Sequence, residues 1–265
     1  MSRMAGGPLI LLAVPAALLA APPVPPLPAP LEPGEGLAVF QADGSMRLSG
    51  EAEREQPMGS LAKLVWLKLE GAEWSAQGLE FRCTGTLDGH ACWLKTGHKR
   101  VDLRKATRES CNLAFLAWAQ ASAARWRKEY GESVARYRLE EAFGPFLGRR
   151  LPPGDSLPVL GPEWIGDGEL LRTSPKAFLA WLAREDQEPL RILARRLLTN
   201  EFTGFYDESR WWFKTGTGPV LGEAATSAWV VGSDGRTLAV LHVPRGRGKV
   251  EGLARFRAVM GLPPR

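Results

Sequence analysis

The feature that most constrains this chain is a stretch of helical spacing at residues 61–70 that is apolar on nearly every side. A helix of this kind has no face suited to water, so it belongs in the core of a sizeable domain. Ser60 stands immediately before the stretch, and the lysines Lys63 and Lys68 interrupt its apolar surface. We predict that the helix ends at Gly71, which acts as its C-cap.

The order of the other elements predicts the fold class. Near the start, strands at residues 37–40 and 46–49 flank Asp43-Gly44, a hairpin turn signal. The remaining predicted strands span 209–214, 226–232 and 237–243, and the remaining predicted helices span 110–130, 174–184, 190–198 and 250–260. We therefore expect an α+β fold, in which a central antiparallel sheet built from both ends of the chain is flanked by helices and carries a helical subdomain.

Composition limits the kinds of partner that the chain can have. Hydrophobic residues make up 45% and charged residues 24% of the 265 positions, which is typical of a soluble globular protein with a substantial core. The net charge of +5 is spread along the chain, and no Lys/Arg cluster of the binding type occurs. We expect no nucleic-acid partner, and we expect the protein to be a monomer.

The N-terminal segment has the pattern of an export signal. Arg3 precedes an apolar run at residues 8–20, which at about 13 residues is too short to cross a bilayer comfortably. We predict a signal peptide at residues 1–20. Because Pro22 can hinder cleavage, an uncleaved N-terminal anchor that tethers the protein to the membrane is the alternative. The Pro-rich residues 21–36 predict a linker, and residues 37–265 predict the folded domain of a secreted or periplasmic protein.

Export bears on the three cysteines, because exported proteins fold in an oxidising compartment. Cys83 and Cys92 lie close together in the sequence, which predicts a disulfide between them. The alternative is a metal site with His90 and His98, but the Cys-x8-Cys spacing matches no usual zinc pattern. Cys111 lies in an apolar stretch and is predicted to be free and buried. We expect no metal ion and no cofactor.

A first chemical motif is Ser60-Leu61-Ala62-Lys63. Serine and lysine at positions i and i+3 of a helix share one face, so the lysine amine can take the hydroxyl proton. Burial in an apolar helix disfavours the ammonium form of Lys63 and makes it a better base. The free N–H groups at the start of the helix favour a developing anion beside Ser60.

Two further motifs follow it along the chain. Ser110-Cys111-Asn112 begins the next long helix, and there a second hydroxyl can relay a proton while the amide holds a substrate carbonyl and Lys63. Residues 214–218, Lys-Thr-Gly-Thr-Gly, end an apolar strand and offer a cation and hydroxyls to a substrate carboxylate. A second Lys-Thr-Gly at residues 95–97 lies among polar residues before the second motif, and we interpret it as a loop.

The three motifs in this order resemble those of the serine penicillin-recognising acyl-enzymes, which include penicillin-binding transpeptidases and class D β-lactamases. The resemblance extends over nearly all of residues 37–243. Residues 97–106, leading into residues 110–115, look like class B penicillin-binding transpeptidases, although the usual Gly-His-Gly is Gly97-His98-Lys99 here.

The later half of the chain looks more like class D β-lactamases and β-lactam sensor domains. Trp164, residues 171–174 and Phe178-Leu179 follow their pattern, and residues 229–232 follow the Lys-Thr-Gly strand as theirs do. Asn112 departs from class D, which has an apolar, valine-like residue at that position.

The resemblance implies a role for each matching residue. Ser60 is the implied nucleophile, Lys63 its base and Ser110 the proton relay, while Asn112 orients the acyl side chain. The substrate-binding residues implied are Lys214, Thr215, Gly216, Thr217 and Trp164. The oxyanion hole implied is formed by the backbone N–H groups of Ser60 and Thr217.

Three functions fit this resemblance. The first is a D,D-transpeptidase or carboxypeptidase that acts on the D-Ala-D-Ala stem peptides of peptidoglycan and is acylated by β-lactams. The second is a class D-like β-lactamase, in which a carboxylated Lys63 packed by Trp164 activates water. The third is a sensor or binding module that is acylated and does not turn over.

Overall fold

The computed structural model describes residues 27–198 and 211–263. The predicted signal peptide at residues 1–20 lies outside these ranges, as do residues 209 and 210 of a predicted strand. The strands are β1 Gly36–Phe40, β2 Met46–Gly50, β3 Gln56–Pro57, β4 Glu80–Cys83, β5 Thr86–Leu87, β6 His90–Ala91, β7 Lys99–Asp102, β8 Arg172–Thr173, β9 Trp212–Val220, β10 Glu223–Ser233 and β11 Leu238–Val243. The α-helices are α1 Ala62–Ala76, α2 Leu103–Arg108, α3 Asn112–Tyr130, α4 Glu132–Phe143, α5 Pro175–Ala183, α6 Glu188–Leu198 and α7 Leu253–Met260.

The two ends of the described chain meet in one antiparallel sheet of five strands, in the order β2-β1-β11-β10-β9. β1 pairs with β11 so that Leu37 lies opposite Leu241, and β10 pairs with β9 so that Val231 lies opposite Lys214. This confirms the predicted α+β fold with its central antiparallel sheet. It also leaves β9, which carries the Lys-Thr-Gly motif, as a free edge of the sheet.

Turn and cap residues form the local structure that the sequence predicts. The Asp43 carboxylate accepts hydrogen bonds from the backbone and side chain of Ser45 and closes the β1–β2 hairpin. The Ser174 hydroxyl accepts a hydrogen bond from the backbone N–H of Ala177 and caps α5, which begins at Pro175. Gly131 ends α3, as predicted.

Helix α1 does not end at Gly71, so that prediction is wrong. The helix continues to Ala76, and Gly71 is buried within it. A Cβ atom at Gly71 would lie 2.5 Å from a side-chain carbon of Leu193 on α6. The glycine therefore serves close packing of two helices and not chain termination, a distinction that local sequence does not make.

The described part of the predicted linker is packed against the domain. Leu27, Ala29 and Leu31 contact the apolar cluster between the sheet and α7. Arg255 on α7 donates to both carboxylate oxygens of Glu35 and to the carbonyl of Pro30. Residues 27–35 are thus part of the folded unit, and β1 begins at Gly36.

Tryptophans fill the core between α1 and the helical subdomain. The ring of Trp66 stacks on Trp74 and on Trp126, each at 6.1 Å between centroids, and it also contacts Phe143 on α4. These rings fix α1 against α3 and α4, so the start of α1 is held on a rigid support. No helix of residues 27–198 and 211–263 combines the length and the apolar character needed to cross a membrane.

A buried carboxylate joins α1 to α3. Glu70 is 3% exposed, and its oxygens accept hydrogen bonds from Ser122, Arg125 and Trp126. Arg138 on α4 lies 3.5 Å from the same carboxylate. A buried charge with this many donors is stabilised only as long as every partner is present.

We predict that Glu70→Ala lowers the free energy of unfolding by about 3–5 kcal/mol, because the substitution leaves buried donors and a partly buried Arg125 without their acceptor. Glu73→Ala, on the exposed face of the same helix, is the matched control and should change it by less than about 0.5 kcal/mol. Urea unfolding followed by circular dichroism measures both values. Equal midpoints for the two variants would contradict the role given to Glu70.

Candidate active site

Ser60 lies at the entry to α1, in a short 3-10 turn at Gly59–Leu61. Gly59 has a φ of +52°, and a Cβ atom there would lie 2.6 Å from the carbonyl oxygen of Thr217. Only glycine meets both demands without strain. The close contact brings the edge strand β9 against the N-terminus of the helix, and Ser60 remains partly exposed between them.

Lys63 is fully buried and is surrounded by oxygen atoms from three parts of the chain. Its Nζ donates to Ser60 Oγ at 2.8 Å, to Asn112 Oδ1 at 2.9 Å and to the carbonyl of Ile165 at 3.4 Å. Three acceptors match the three N–H donors of an ammonium group. The first and second sequence motifs are therefore in direct contact through this lysine.

Burial shifts the protonation of Lys63 toward the neutral amine. Desolvation lowers the pKa of its side chain from 10.5 to about 8, and it outweighs the negative charge of Asp167, which acts to raise that pKa. With a pKa of about 8, roughly a tenth of the amine is neutral at pH 7 and about half at pH 8, far more than for an ordinary lysine. This agrees with the sequence prediction for a lysine in an apolar helix.

Lys214 connects the second motif to the third. Its Nζ donates to Ser110 Oγ at 2.5 Å, and Ser110 has a φ of +50°, which turns its hydroxyl toward β9. Lys214 is 2% exposed. Its pKa lies well below the usual 10.5, first because of burial and then because of the charges of Lys63 and Lys249. Ser110 and Lys214 thus form a second hydroxyl–amine pair, which the short Ser110–Asn112 segment links to the first pair, Ser60 and Lys63.

The backbone of β9 points toward Ser60. The carbonyl oxygen of Thr217 is the atom that approaches Gly59. A Cβ atom at Gly216 would lie 3.2 Å from the backbone nitrogen of Ser60. The backbone at Ser60 therefore packs directly against the Lys-Thr-Gly segment of β9.

The segment after β11 packs against the outer side of the Lys-Thr-Gly motif. This contact was not predicted from the sequence. Gly248 packs so tightly on β9 that a Cβ atom there would lie 2.3 Å from the carbonyl oxygen of Gly216. Its N–H donates to Thr217 Oγ1 at 3.0 Å, so the Thr217 hydroxyl acts as an acceptor in this contact. Lys249 follows and adds a positive charge near Lys214. The available signal was the basic, glycine-containing run at residues 245–249.

Trp164 does not lie where a substrate-binding residue would be. Its side chain belongs to the core, since the residue is 2% exposed and its ring packs edge-to-face on Phe143 at 5.5 Å. Its backbone carbonyl accepts a hydrogen bond from Trp66 Nε1 at 2.8 Å. The structure thus contradicts the prediction of substrate contact, because a ring buried on both faces cannot line a groove.

Ile165, the residue after Trp164, contacts the site, and this contact was not predicted from the sequence. Ile165 supplies the third carbonyl around Lys63, and Gly166, with a φ of +91°, turns the chain directly afterwards. A Cβ atom at Gly166 would lie 1.8 Å from the carbonyl oxygen of Gly59, so only glycine fits. Backbone groups of this kind leave no residue-type signal apart from the glycine.

The disulfide predicted between Cys83 and Cys92 is not formed. All three cysteines are free and buried, and their sulfur atoms lie together with one nitrogen of His98. Cys111, predicted to be an isolated buried side chain, is a member of this group, whereas His90 is outside it. The short spacing of Cys83 and Cys92 in the sequence indicated a pair. It could not show that α3, and with it Cys111, begins beside the paired strands β4 and β7.

Comparisons with known proteins by sequence give no match, either to a protein family model or to a curated protein. Comparison of structures gives many. The chain is similar to the D,D-transpeptidase domain of a peptidoglycan glycosyltransferase from Eggerthella lenta, with a TM-score of 0.60 and 13% identity over 86% of this chain and 76% of that one.

It is also similar to the penicillin-binding protein PBP2 of Helicobacter pylori, solved in complex with MreC, with a TM-score of 0.58, 15% identity and 86% of this chain covered. The match covers 59% of the PBP2 chain. A class D β-lactamase from Sebaldella termitidis gives a TM-score of 0.53 at 13% identity, with 85% of this chain and 88% of that one covered. The protein therefore has the fold shared by penicillin-binding transpeptidase domains and class D β-lactamases.

Proposed function

We propose that this protein is an exported serine acyl-enzyme of the penicillin-binding type, which acts on the D-Ala-D-Ala ends of peptidoglycan stem peptides. The observation that carries the proposal is the contact of Lys63 Nζ with both Ser60 Oγ and Asn112 Oδ1. A nucleophile, a base of lowered pKa and an orienting amide are the parts that acyl transfer needs. The fold alone does not supply them.

In the proposed reaction, neutral Lys63 takes the proton of Ser60 as Oγ bonds to the substrate carbonyl carbon. The oxyanion receives hydrogen bonds from the N–H groups of Ser60 and Thr217. The bond from carbon to the leaving nitrogen then breaks as Ser110 relays to that nitrogen the proton held by Lys63, which leaves Lys63 neutral again. Water or an amine acceptor releases the acyl group from Ser60 by the reverse sequence.

The charge around the site favours a substrate with a free carboxylate. Lys63 and Lys249 are close enough to Lys214 that their charges help to lower its pKa, and a bound carboxylate would favour the charged form of all three lysines. Thr215 and Thr217 add hydroxyl groups on the same strand. Both a terminal D-Ala and a penicillin carry a carboxylate next to the bond that is attacked, so the same residues would bind either one.

The surroundings of Lys63 favour slow release of a penicilloyl group over β-lactamase turnover. A carboxylated lysine keeps one N–H and adds a carboxylate that needs donors, whereas Lys63 Nζ faces two carbonyl oxygens and a hydroxyl. Trp164, which would support a carboxylated lysine in the class D alternative, is packed on Phe143. The sensor alternative differs from our proposal only in lacking turnover of peptides.

The remaining parts of the proposal concern location and partners. We propose a secreted or periplasmic protein, exported by residues 1–20 or tethered to the membrane if that segment stays uncleaved. Its partners are peptidoglycan stem peptides and β-lactams, and nucleic acid is not among them. We propose that it acts as a monomer without a catalytic cofactor.

The first prediction is that penicillin acylates Ser60. Intact-mass spectrometry of the purified protein should show a single penicilloyl adduct, and Ser60→Ala should show none, because its only candidate nucleophile is lost. Ser45→Ala, in the exposed β1–β2 turn, is the control and should keep the adduct. An adduct on the Ser60→Ala variant would assign the nucleophile elsewhere.

The second prediction concerns the base. The acylation rate should rise with pH and level off above about 8, because Lys63 must be neutral to accept a proton and its pKa is about 8. Lys63→Ala should lower the rate by about 100-fold or more, whereas Lys68→Ala, on the same helix, should not. A flat pH profile between 6 and 9, with fluorescent penicillin as the substrate, speaks against Lys63 as the base.

The third prediction separates a penicillin-binding enzyme from a class D-like β-lactamase. We expect the penicilloyl group on Ser60 to be released over many minutes and the rate of release to be unaffected by bicarbonate, because Lys63 stays uncarboxylated. The loss of bound fluorescent penicillin with and without bicarbonate measures both. Release at catalytic rates on addition of bicarbonate would identify a β-lactamase instead.

A further inference from the structure

Four buried side chains that the proposed reaction does not use converge beside the active site. They are Cys83 at the end of β4, Cys92 after the β5–β6 hairpin, His98 before β7 and Cys111 before α3. Their three sulfur atoms and one histidine nitrogen all lie within 4.8 Å of one another. Three thiols and an imidazole in such a group form a ligand set of the Cys3His type.

Two of the distances between these atoms match the sulfur–nitrogen edges of a tetrahedron around one metal ion. His98 Nδ1 lies 3.6 Å from Cys83 Sγ and 3.4 Å from Cys92 Sγ. Metal–sulfur bonds of about 2.3 Å and metal–nitrogen bonds of about 2.0–2.1 Å at tetrahedral angles place sulfur and nitrogen about 3.6 Å apart. Thiol–imidazole hydrogen bonds have a similar length, and it is the third sulfur atom within 4.8 Å of the same atoms that makes the group a set of four ligands.

His98 is oriented as a metal ligand that binds through Nδ1. Its other nitrogen, Nε2, is buried and has no hydrogen-bond partner among the described residues. Nε2 lies 4.0 Å from the Glu109 carboxylate. Metal-bound histidines commonly direct their second N–H at a carboxylate, which fixes the ring and its tautomer. At 4.0 Å the two groups do not form a hydrogen bond, but the carboxylate stands on the side of the ring where a second N–H would point.

The backbone around the cluster is built for close approach. Gly85 and Gly97 have φ values of +98° and +72°, and a Cβ atom on Gly97 would lie 2.2 Å from the carbonyl oxygen of Cys83. The N–H of Cys92 donates to the carbonyl of Gly85 at 2.8 Å. These contacts hold Cys83, Cys92 and His98 together within one small hairpin unit, and Cys111 comes from a separate part of the chain.

We propose that Cys83, Cys92, His98 and Cys111 bind one zinc-type divalent ion that has a structural role. Three thiolates select zinc over magnesium or calcium, which prefer oxygen ligands. Four protein ligands fill a tetrahedral shell, and all four are buried, so no position is open for a substrate. The ion replaces the disulfide as the link between these segments.

The position of Cys111 gives the site a second consequence. Cys111 stands between Ser110, which contacts Lys214, and Asn112, which contacts Lys63. A metal bond at Cys111 therefore fixes both side chains of that motif with respect to β4 and β7. The effect of the metal ion on Ser110 and Asn112 rests on the proposed function, because only an acylation assay would detect it. The binding of the metal ion does not depend on the proposed function.

The test uses the protein comprising residues 21–265, purified without chelator. Metal analysis should find one zinc ion per chain, and replacement with Co²⁺ should give the visible and near-ultraviolet bands of tetrahedral cobalt–thiolate coordination. His98→Ala and Cys92→Ser should lose the ion and these bands. His90→Ala, an equivalent change in the neighbouring hairpin outside the cluster, should retain both.

Thiol counting keeps the test decisive if a ligand variant does not fold. In the native wild-type protein all three cysteines should resist alkylation until a chelator is added, and all three should then react. A protein without metal that has one Cys83–Cys92 disulfide and one free thiol overturns the proposal, as does a metal content unchanged in both ligand variants. Metal binding without acylation by penicillin would refute the proposed function and leave the metal site standing.

Discussion

The rest of the structure depends on the burial of Lys63. An ammonium group removed from water costs several kcal/mol unless oxygen atoms replace its hydration. Here those oxygens come from the start of α1, from Asn112 at the start of α3 and from the turn at Ile165. The tryptophans around Trp66 hold these elements in place, so the core of the helical subdomain and the chemistry of the site share one scaffold.

A second constraint is the close approach of backbones at the edge of the sheet. Gly59 lies against Thr217, Gly166 against Gly59, and Gly248 against Gly216. Each contact leaves no room for a Cβ atom, so two segments reach β9 only through glycine, and a third reaches Gly59 in the same way. This packing holds the backbone at Ser60 against the backbone of Gly216 and Thr217. The oxyanion hole that we propose requires this close approach.

Much of the fold was predictable because it is encoded locally. The Asp43-Gly44 turn, the Ser174 cap and the termination of α3 at Gly131 each depend on a few neighbouring residues, and the three motifs carry their chemistry in side chains. Gly71 and Trp164 were misassigned because their roles depend on partners distant in sequence, Leu193 and Phe143. The cysteine cluster was missed for the same reason, since Cys111 reaches it only through the tertiary fold.

Backbone strain beside the cysteine cluster points to what holds the second motif. Lys99 and Ser110 have φ values of +62° and +50°, a conformation that costs a non-glycine residue about 1–2 kcal/mol. Lys99 directly follows His98, and Ser110 directly precedes Cys111. Strain of this kind persists only where the surroundings over-determine the backbone. A metal ion bound by His98 and Cys111 would fix both strained residues at once, and through Ser110 it would hold the hydroxyl that meets Lys214.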